Sequence, residues 1–92
     1  MSESFTKRQT LEALLNPQVG DYFTEMMNYR MWVVKVTPKT VVYFDAIPPC
    51  TIPDDCTIME VARDYFYWHF ARPHCWVRLI GRGEDVKGWL KE

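Results

Sequence analysis

Long apolar runs are missing from this chain of 92 residues, and with them any stretch long enough to cross a bilayer as a helix. No membrane association is expected. The opening MSESFTKRQT lacks the apolar centre of a secretory signal, so no signal peptide is expected either. Cysteine is sparse and odd in number. Cys50, Cys56 and Cys75 do not make a disulfide framework, and free thiols suit a reducing compartment, so the expected location is cytoplasmic. An excess of one charge is also missing: 11 Lys and Arg face 12 Asp and Glu, for a formal net charge of −1. That balance disfavours a strong non-specific nucleic-acid binder and, equally, a DNA mimic coated in carboxylates. There is no Gly-rich phosphate loop, no H-E-x-x-H and no G-x-S-x-G. Internal repeats and low-complexity segments are absent too.

What the chain does have is apolar bulk: 48% of it is hydrophobic and 15% aromatic. That argues against disorder, which requires low hydrophobicity and high net charge. The length makes residues 1–92 one domain, with 1–5 flexible. So short a chain buries only about two-thirds of its unfolded surface. Large rings, each burying roughly 150–250 Å², compensate.

Thr6 and Gln9 have the spacing of a capping box, and Leu11, Leu14 and Leu15 follow as one apolar stripe. Asn16-Pro17 ends this helix. After Gly20 the rhythm changes. YFTEMM, RMWVVKVT and TVVYFDA are rich in β-branched and aromatic residues and predict a three-stranded antiparallel meander, with Pro38-Lys39 at the second hairpin. In the middle strand Trp32, Val34 and Val36 share one face, while Met31, Val33 and Lys35 share the other. IPPCTIPDDC, residues 47–56, carries three prolines and reads as a surface loop. Thr57 and Glu60 form a second capping box, which predicts a helix over 58–70. Ile58, Val61, Ala62, Tyr65 and Trp68 cluster on one of its sides, extended by Met59, Phe66 and Phe70. Arg72-Pro73 breaks it, CWVRLI (75–80) is a fourth strand, and Val86 to Leu90 is a short fifth strand or a tail.

The fold class is therefore α+β: a small antiparallel sheet of four to five strands, open or curled towards an SH3-like barrel, with an N-terminal helix and a second helix near 58–70. The expected core is Leu14, Phe23, Trp32, Val34, Val36, Val42, Phe44, Val61, Ala62, Tyr65, Val77 and Leu79.

Candidate chemistry concentrates in YFYWHFARPHCW, residues 65–76. Cys50 and Cys56 lie too far apart for the usual C-x₂₋₄-C zinc pair, and Pro73 stands between His69 and His74, so no metal site is assigned. His74 and Cys75 are sequence neighbours and point to opposite faces of a strand, which is poor geometry for a nucleophile and its base. No catalytic residue and no cofactor are assigned, and the chain reads as a non-enzyme. His69, inside the apolar arc, reads as a hydrogen-bonded core histidine.

Two binding readings remain. Arg63, Arg72, Arg78 and Arg82 stand against Asp64 alone between residues 63 and 82, with rings between them. Guanidinium groups and rings suit a nucleotide or a single-stranded nucleic acid, held by Arg63, Arg72, Arg78 and Tyr67. The opposing account pairs Arg63 and Arg82 with Asp64, Glu84 and Asp85 and puts the rings in the core. The same composition is that of a protein–protein hot spot centred on Tyr67, Trp68, Arg72 and His74, with a host protein or a second copy of the chain as partner.

Certain stretches carry a resemblance. Gly20-Asp21-Tyr22-Phe23-Thr24-Glu25-Met26 precedes Trp32-Val33-Val34-Lys35-Val36. Then come Pro49-Cys50-Thr51-Ile52-Pro53-Asp54-Asp55, Cys75-Trp76-Val77-Arg78-Leu79 and Val86-Lys87-Gly88-Trp89. Over roughly residues 19–90 this resembles small uncharacterised proteins encoded by bacteriophages and prophages. The resemblance implies a setting, the bacterial host cytoplasm, and a kind of role. Small phage proteins of this size are often stoichiometric binders that block a host enzyme or a defence complex, anti-CRISPR proteins among them; others sequester nucleotide signals. The expected function is thus a non-enzymatic accessory protein that binds and inhibits or modulates a host complex, with nucleotide or nucleic-acid binding as the alternative.

Overall fold

The computed structural model describes residues 5–25, 29–46, 56–72 and 76–82. The proline-rich stretch 47–55, the segment holding His74 and Cys75, and the expected strand or tail over 86–90 lie outside these residues. The order is α1 (Lys7–Leu15), β1 (Tyr22–Glu25), β2 (Tyr29–Val36), β3 (Thr40–Ala46), β4 (Cys56–Ala62), α2 (Arg63–Phe70) and β5 (Arg78–Gly81). All pairings are antiparallel, in the order β4-β3-β2-β1-β5. The α+β architecture and the N-terminal helix are as the sequence predicts. Among the described residues the sheet is open, with β4 and β5 at its edges, and does not close into an SH3-like barrel.

Helix α1 starts where its cap chemistry places it. Thr6 Oγ1 accepts from the Gln9 amide at 3.0 Å and Gln9 Oε1 accepts from the Thr6 amide at 2.7 Å, a reciprocal box. Its inward face is Thr10, Ala13 and Leu14, whereas Leu15 is 61% exposed. The Thr10 hydroxyl donates to the Thr6 carbonyl (3.2 Å) and accepts from the buried Leu79 amide (3.1 Å), tying α1 to β5. The turn into β1 uses Gly20 at φ 97°, where a Cβ is disfavoured. There the Gly20 amide donates to the Val33 carbonyl and the Val33 amide donates to the Asp21 carbonyl, which carries the pairing beyond β1.

The core face of the sheet is opposite to the one expected. Met31, Val33, Val41 and Tyr43 are buried, while Trp32, Val34, Val42 and Phe44 are only half-buried. A bulge explains both this and the one exception. Val33 pairs with Tyr43 but Lys35 with Val42, leaving Val34 as the extra residue. Beyond it the alternation changes phase, so Val36, opposite Val41, joins the Met31/Val33 side and packs against the core.

The second correction concerns 56–62, expected as the end of a loop and the first turns of a helix. It is the edge strand β4, paired with β3 from Thr40↔Ala62 to Ala46↔Cys56. Thr57, Ile58 and Val61 are β-branched, and Met59 and Val61 alternate inward against exposed Ile58, Glu60 and Ala62. Helix α2 therefore begins only at Arg63. Its N-cap is Ala62, with no side-chain cap, and Thr57 and Glu60 do not act as a capping box for it.

The later start places Phe66 and Phe70, one turn apart, on the inward face. Phe66 meets Phe23 edge-on at 6.3 Å, Tyr43 at 5.3 Å and Phe70 at 5.3 Å. Such ring pairs each contribute about 0.5–1.5 kcal/mol beyond area burial. Ala62 and Tyr65, expected in the core, are exposed, Tyr65 by 48%. On the opposite face of the sheet a row of side chains crosses the strands: Ile58, Phe44, Trp32 and Tyr22 in register. Tyr22 and Ala46 are buried there, with Trp32, Phe44 and Ile80 packed around them.

Candidate functional site

The residues singled out from the sequence collect around α2, on two adjoining grooves. The first, of about 580 Å³, is lined by Leu15, Pro38, Arg63, Asp64, Tyr65, Tyr67 and Trp68. The second, of about 520 Å³, runs between α1 and the chain entering β5 and takes in Arg72 and Arg78. Trp68 and Arg72 join them: the Arg72 guanidinium lies over the Trp68 ring, 4.1 Å from its centroid. A helical spacing of four brings the two side chains together on one face. Their stacking contributes about 0.5–1 kcal/mol at an exposed site. His74 lies outside the described residues.

Exposure separates anchors from scaffold. Trp68 is 62% exposed, so it is a surface ring and not part of the core arc expected for this helix. Tyr67 is half-buried and packs against the core. Arg63 is less available than the sequence suggests. Its Nη2 donates to Asn16 Oδ1 at 2.8 Å and its Nη1 to the Thr37 carbonyl at 3.4 Å, bracing α2 against the end of α1 and the β2–β3 turn. Arg82 is structural as well. It makes a two-point contact with Asp21, Nε to Oδ1 at 2.9 Å and Nη2 to Oδ2 at 3.2 Å; Glu84 and Asp85, the local acids expected for it, lie outside the described residues.

His69 is half-buried, as part of an aromatic stack. Its ring lies parallel to Tyr65 at 5.2 Å and edge-on to Phe70 at 4.7 Å, with the Tyr65 hydroxyl 3.5 Å from Nδ1. Among the described residues, no three of His, Cys, Asp and Glu converge on a point that would hold a metal ion. Cys50, His74 and Cys75 lie outside those residues. No helix among them is long and apolar enough to cross a membrane.

Sequence reasoning missed Leu15, Tyr65 and Trp76 as surface apolar groups, and Lys7 as a groove residue. A signal for Lys7 exists, since Lys7, Leu11 and Leu14 recur at helical spacing and share one face of α1. No such signal exists for Trp76. It is 71% exposed with φ 55°, a left-handed backbone that costs a bulky residue on the order of 1–3 kcal/mol. Residues held this way cluster at binding sites.

A separate polar feature lies on the core face of the sheet. Glu25 shares that face with Phe23, and Asp45 sits opposite Met31. Burial pushes both carboxyls above their ordinary values, and for Glu25 the nearby Asp45 adds to the effect. The Tyr43 hydroxyl is pushed up by burial first, then by Asp45, Glu25 and Tyr65. Among the described residues, Asp45 Oδ1 is buried with no hydrogen-bond partner.

Comparison with family models, with curated proteins and with solved structures finds no match to this chain.

Proposed function

We propose that this chain is a non-enzymatic protein-binding module that docks on a host protein complex through the outer face of α2. Trp68 carries the reading. In a domain short enough to need its rings inside, this one is 62% exposed, stacked under Arg72 and flanked by exposed Tyr65 and Leu15. Aromatic and arginine side chains at a shared groove are the composition of interface hot spots, where truncating a central ring costs 2 kcal/mol or more, roughly, of binding. The resemblance to phage and prophage proteins supports the finer reading: an accessory protein in the bacterial host cytoplasm that inhibits or modulates a host enzyme or a defence system such as CRISPR–Cas.

The test is a capture from bacterial host lysate with the tagged chain, beside a Tyr67→Ala/Trp68→Ala double variant. The expected result is one partner complex recovered by the wild type and lost by the variant. A wild type that recovers no specific protein, or a variant that recovers the same one equally, sinks the reading. A second copy of this chain is the other occupant the surface fits, and a concentration-dependent dimer abolished by Trp68→Ala would replace the host partner with a homodimer.

A second reading, a nucleotide or single-stranded nucleic-acid binder, is favoured by Arg72, Arg78 and Lys7 meeting at the second groove. Titration with oligonucleotides and cyclic nucleotides at low salt tests it. Binding that falls steeply as salt rises supports it; none at tens of micromolar removes it.

A further inference from the structure

We propose that the groove between α1 and β5 seats an acidic-apolar segment of the partner protein: one large apolar side chain on the floor, and flanking Asp or Glu side chains met by Lys7, Arg72 and Arg78. The inference rests on the docking function proposed above and names the chemistry of the partner.

The groove holds about 520 Å³, the size of a pocket that encloses a ligand group. Its floor is Leu11, Leu14, Phe70 and Val77. Leu14 and Phe70 belong to the core, at 1% and 6% exposure, so the floor is fixed in place before anything binds. Thr10 is the one hydroxyl residue among the described lining, and its hydroxyl is already engaged, donating to the Thr6 carbonyl and accepting from the Leu79 amide. The part of the ligand that reaches the floor must therefore be apolar, because a polar group there would lose water without gaining a partner.

The rim has the opposite character. Among the described lining residues every charged one is a cation: Lys7, Arg72 and Arg78. Arg72 is held by its stacking on Trp68 and so loses less freedom on meeting an anion. Trp76, 71% exposed on a left-handed backbone, forms a wall with open surface for contact. Cations around an apolar floor complement carboxylates around an apolar side chain, an arrangement that sets partner choice. A nucleic acid fits less well. Bases need successive stacking rings, and this floor is mainly aliphatic; the chain's net charge of −1 also gives no general attraction to phosphate.

The test is an NMR titration of the isotope-labelled full chain with acetylated, amidated peptides. DELFEDL combines acids with apolar side chains, KKLFKKL reverses the charge, and DEGGEDG removes the apolar groups. A short oligothymidylate is the fourth probe. The expected result is that DELFEDL alone moves the Trp76 indole signal and the Leu11 and Val77 methyl signals saturably. An Arg72→Glu/Arg78→Glu variant, folded by circular dichroism, should bind it about tenfold more weakly. Equal shifts from KKLFKKL, groove shifts from the oligonucleotide alone, or no groove shift from DELFEDL up to millimolar concentration each overturn the inference. If the peptide fails while the Tyr67/Trp68 variant still loses its captured partner, this inference falls and the docking function stands. Groove binding by DELFEDL without any captured partner leaves the groove chemistry standing and removes the function proposed for it.

Discussion

The pair formed by Asp21 and Arg82 makes a sharp test of how this small domain holds its first strand. Asp21 is 0% exposed, and its carboxylate accepts three hydrogen bonds, two from Arg82 and one from the Gln18 amide at 2.9 Å. The Arg82 side chain is 34% exposed. The two single substitutions are therefore unequal. Arg82→Ala strands a buried carboxylate. Breaking a buried pair in this way costs about 3–5 kcal/mol, which we discount to about 2–4 kcal/mol because water can enter where a third of the arginine already meets solvent. Asp21→Ala releases an arginine that can turn into water, and its cost of about 1–3 kcal/mol is that of losing the charge-assisted hydrogen bond from the part-buried Gln18 amide. The double variant should cost less than the sum of the two, with a coupling of about 1–3 kcal/mol. For a domain of this size each kcal/mol lowers Tm by about 4–8 °C, so all three effects are readable by urea and thermal unfolding. An Arg82→Ala cost below about 1 kcal/mol, or coupling within about 0.5 kcal/mol of zero, would refute the account of this pair as a buried, mutually dependent contact.

Two further outcomes follow from the interior. Thr10→Val keeps the shape but leaves the buried Leu79 amide without its acceptor, so urea unfolding should show a loss of about 1–3 kcal/mol that Thr10→Ser largely restores. Glu25 and Asp45 bear on pH. Their folded-state values are raised, so as pH climbs the unfolded chain releases these protons first. The stability they contribute is complete below about pH 4 and is lost as pH rises through the folded values. Asp45→Asn should raise the urea midpoint at pH 7 and flatten its decline above pH 4; an unchanged slope would count against the buried-carboxyl account.

The elements themselves were legible in the sequence wherever local chemistry and tertiary packing agree. The Thr6–Gln9 box marks the start of α1, and the β-rich runs after Gly20 mark the meander. The errors came from two misleading phases. In β2, Lys35 made the Met31/Val33 face look polar, because strict alternation has no place for the extra residue Val34. In 56–62, Thr57 and Glu60 imitate a cap, and the aromatic run that follows continues a helical period back into a strand. The β-branched content of CTIMEVA was the better guide, but a seven-residue apolar stretch is ambiguous by periodicity alone. These errors carried over to the site. Starting α2 at Arg63 rather than near Ile58 exposes Tyr65, and Trp68 proves to be a surface ring. Lys7 and Trp76 join the site only through the fold, as the second groove brings α1 and the approach to β5 together.

The strand order has a kinetic consequence. The β1–β2, β2–β3 and β3–β4 ladders join sequence neighbours, whereas β5 must return to β1 from the far end of the chain. Its companion bond, from the Leu79 amide to the Thr10 hydroxyl, spans 69 residues. Closing so long a loop costs entropy before any contact compensates for it, so the meander can assemble early and the seating of β5 against α1 and β1 completes the fold. The second groove exists only after that last step. A chain stalled before it would hold much of its sheet and still have nothing to offer a partner there.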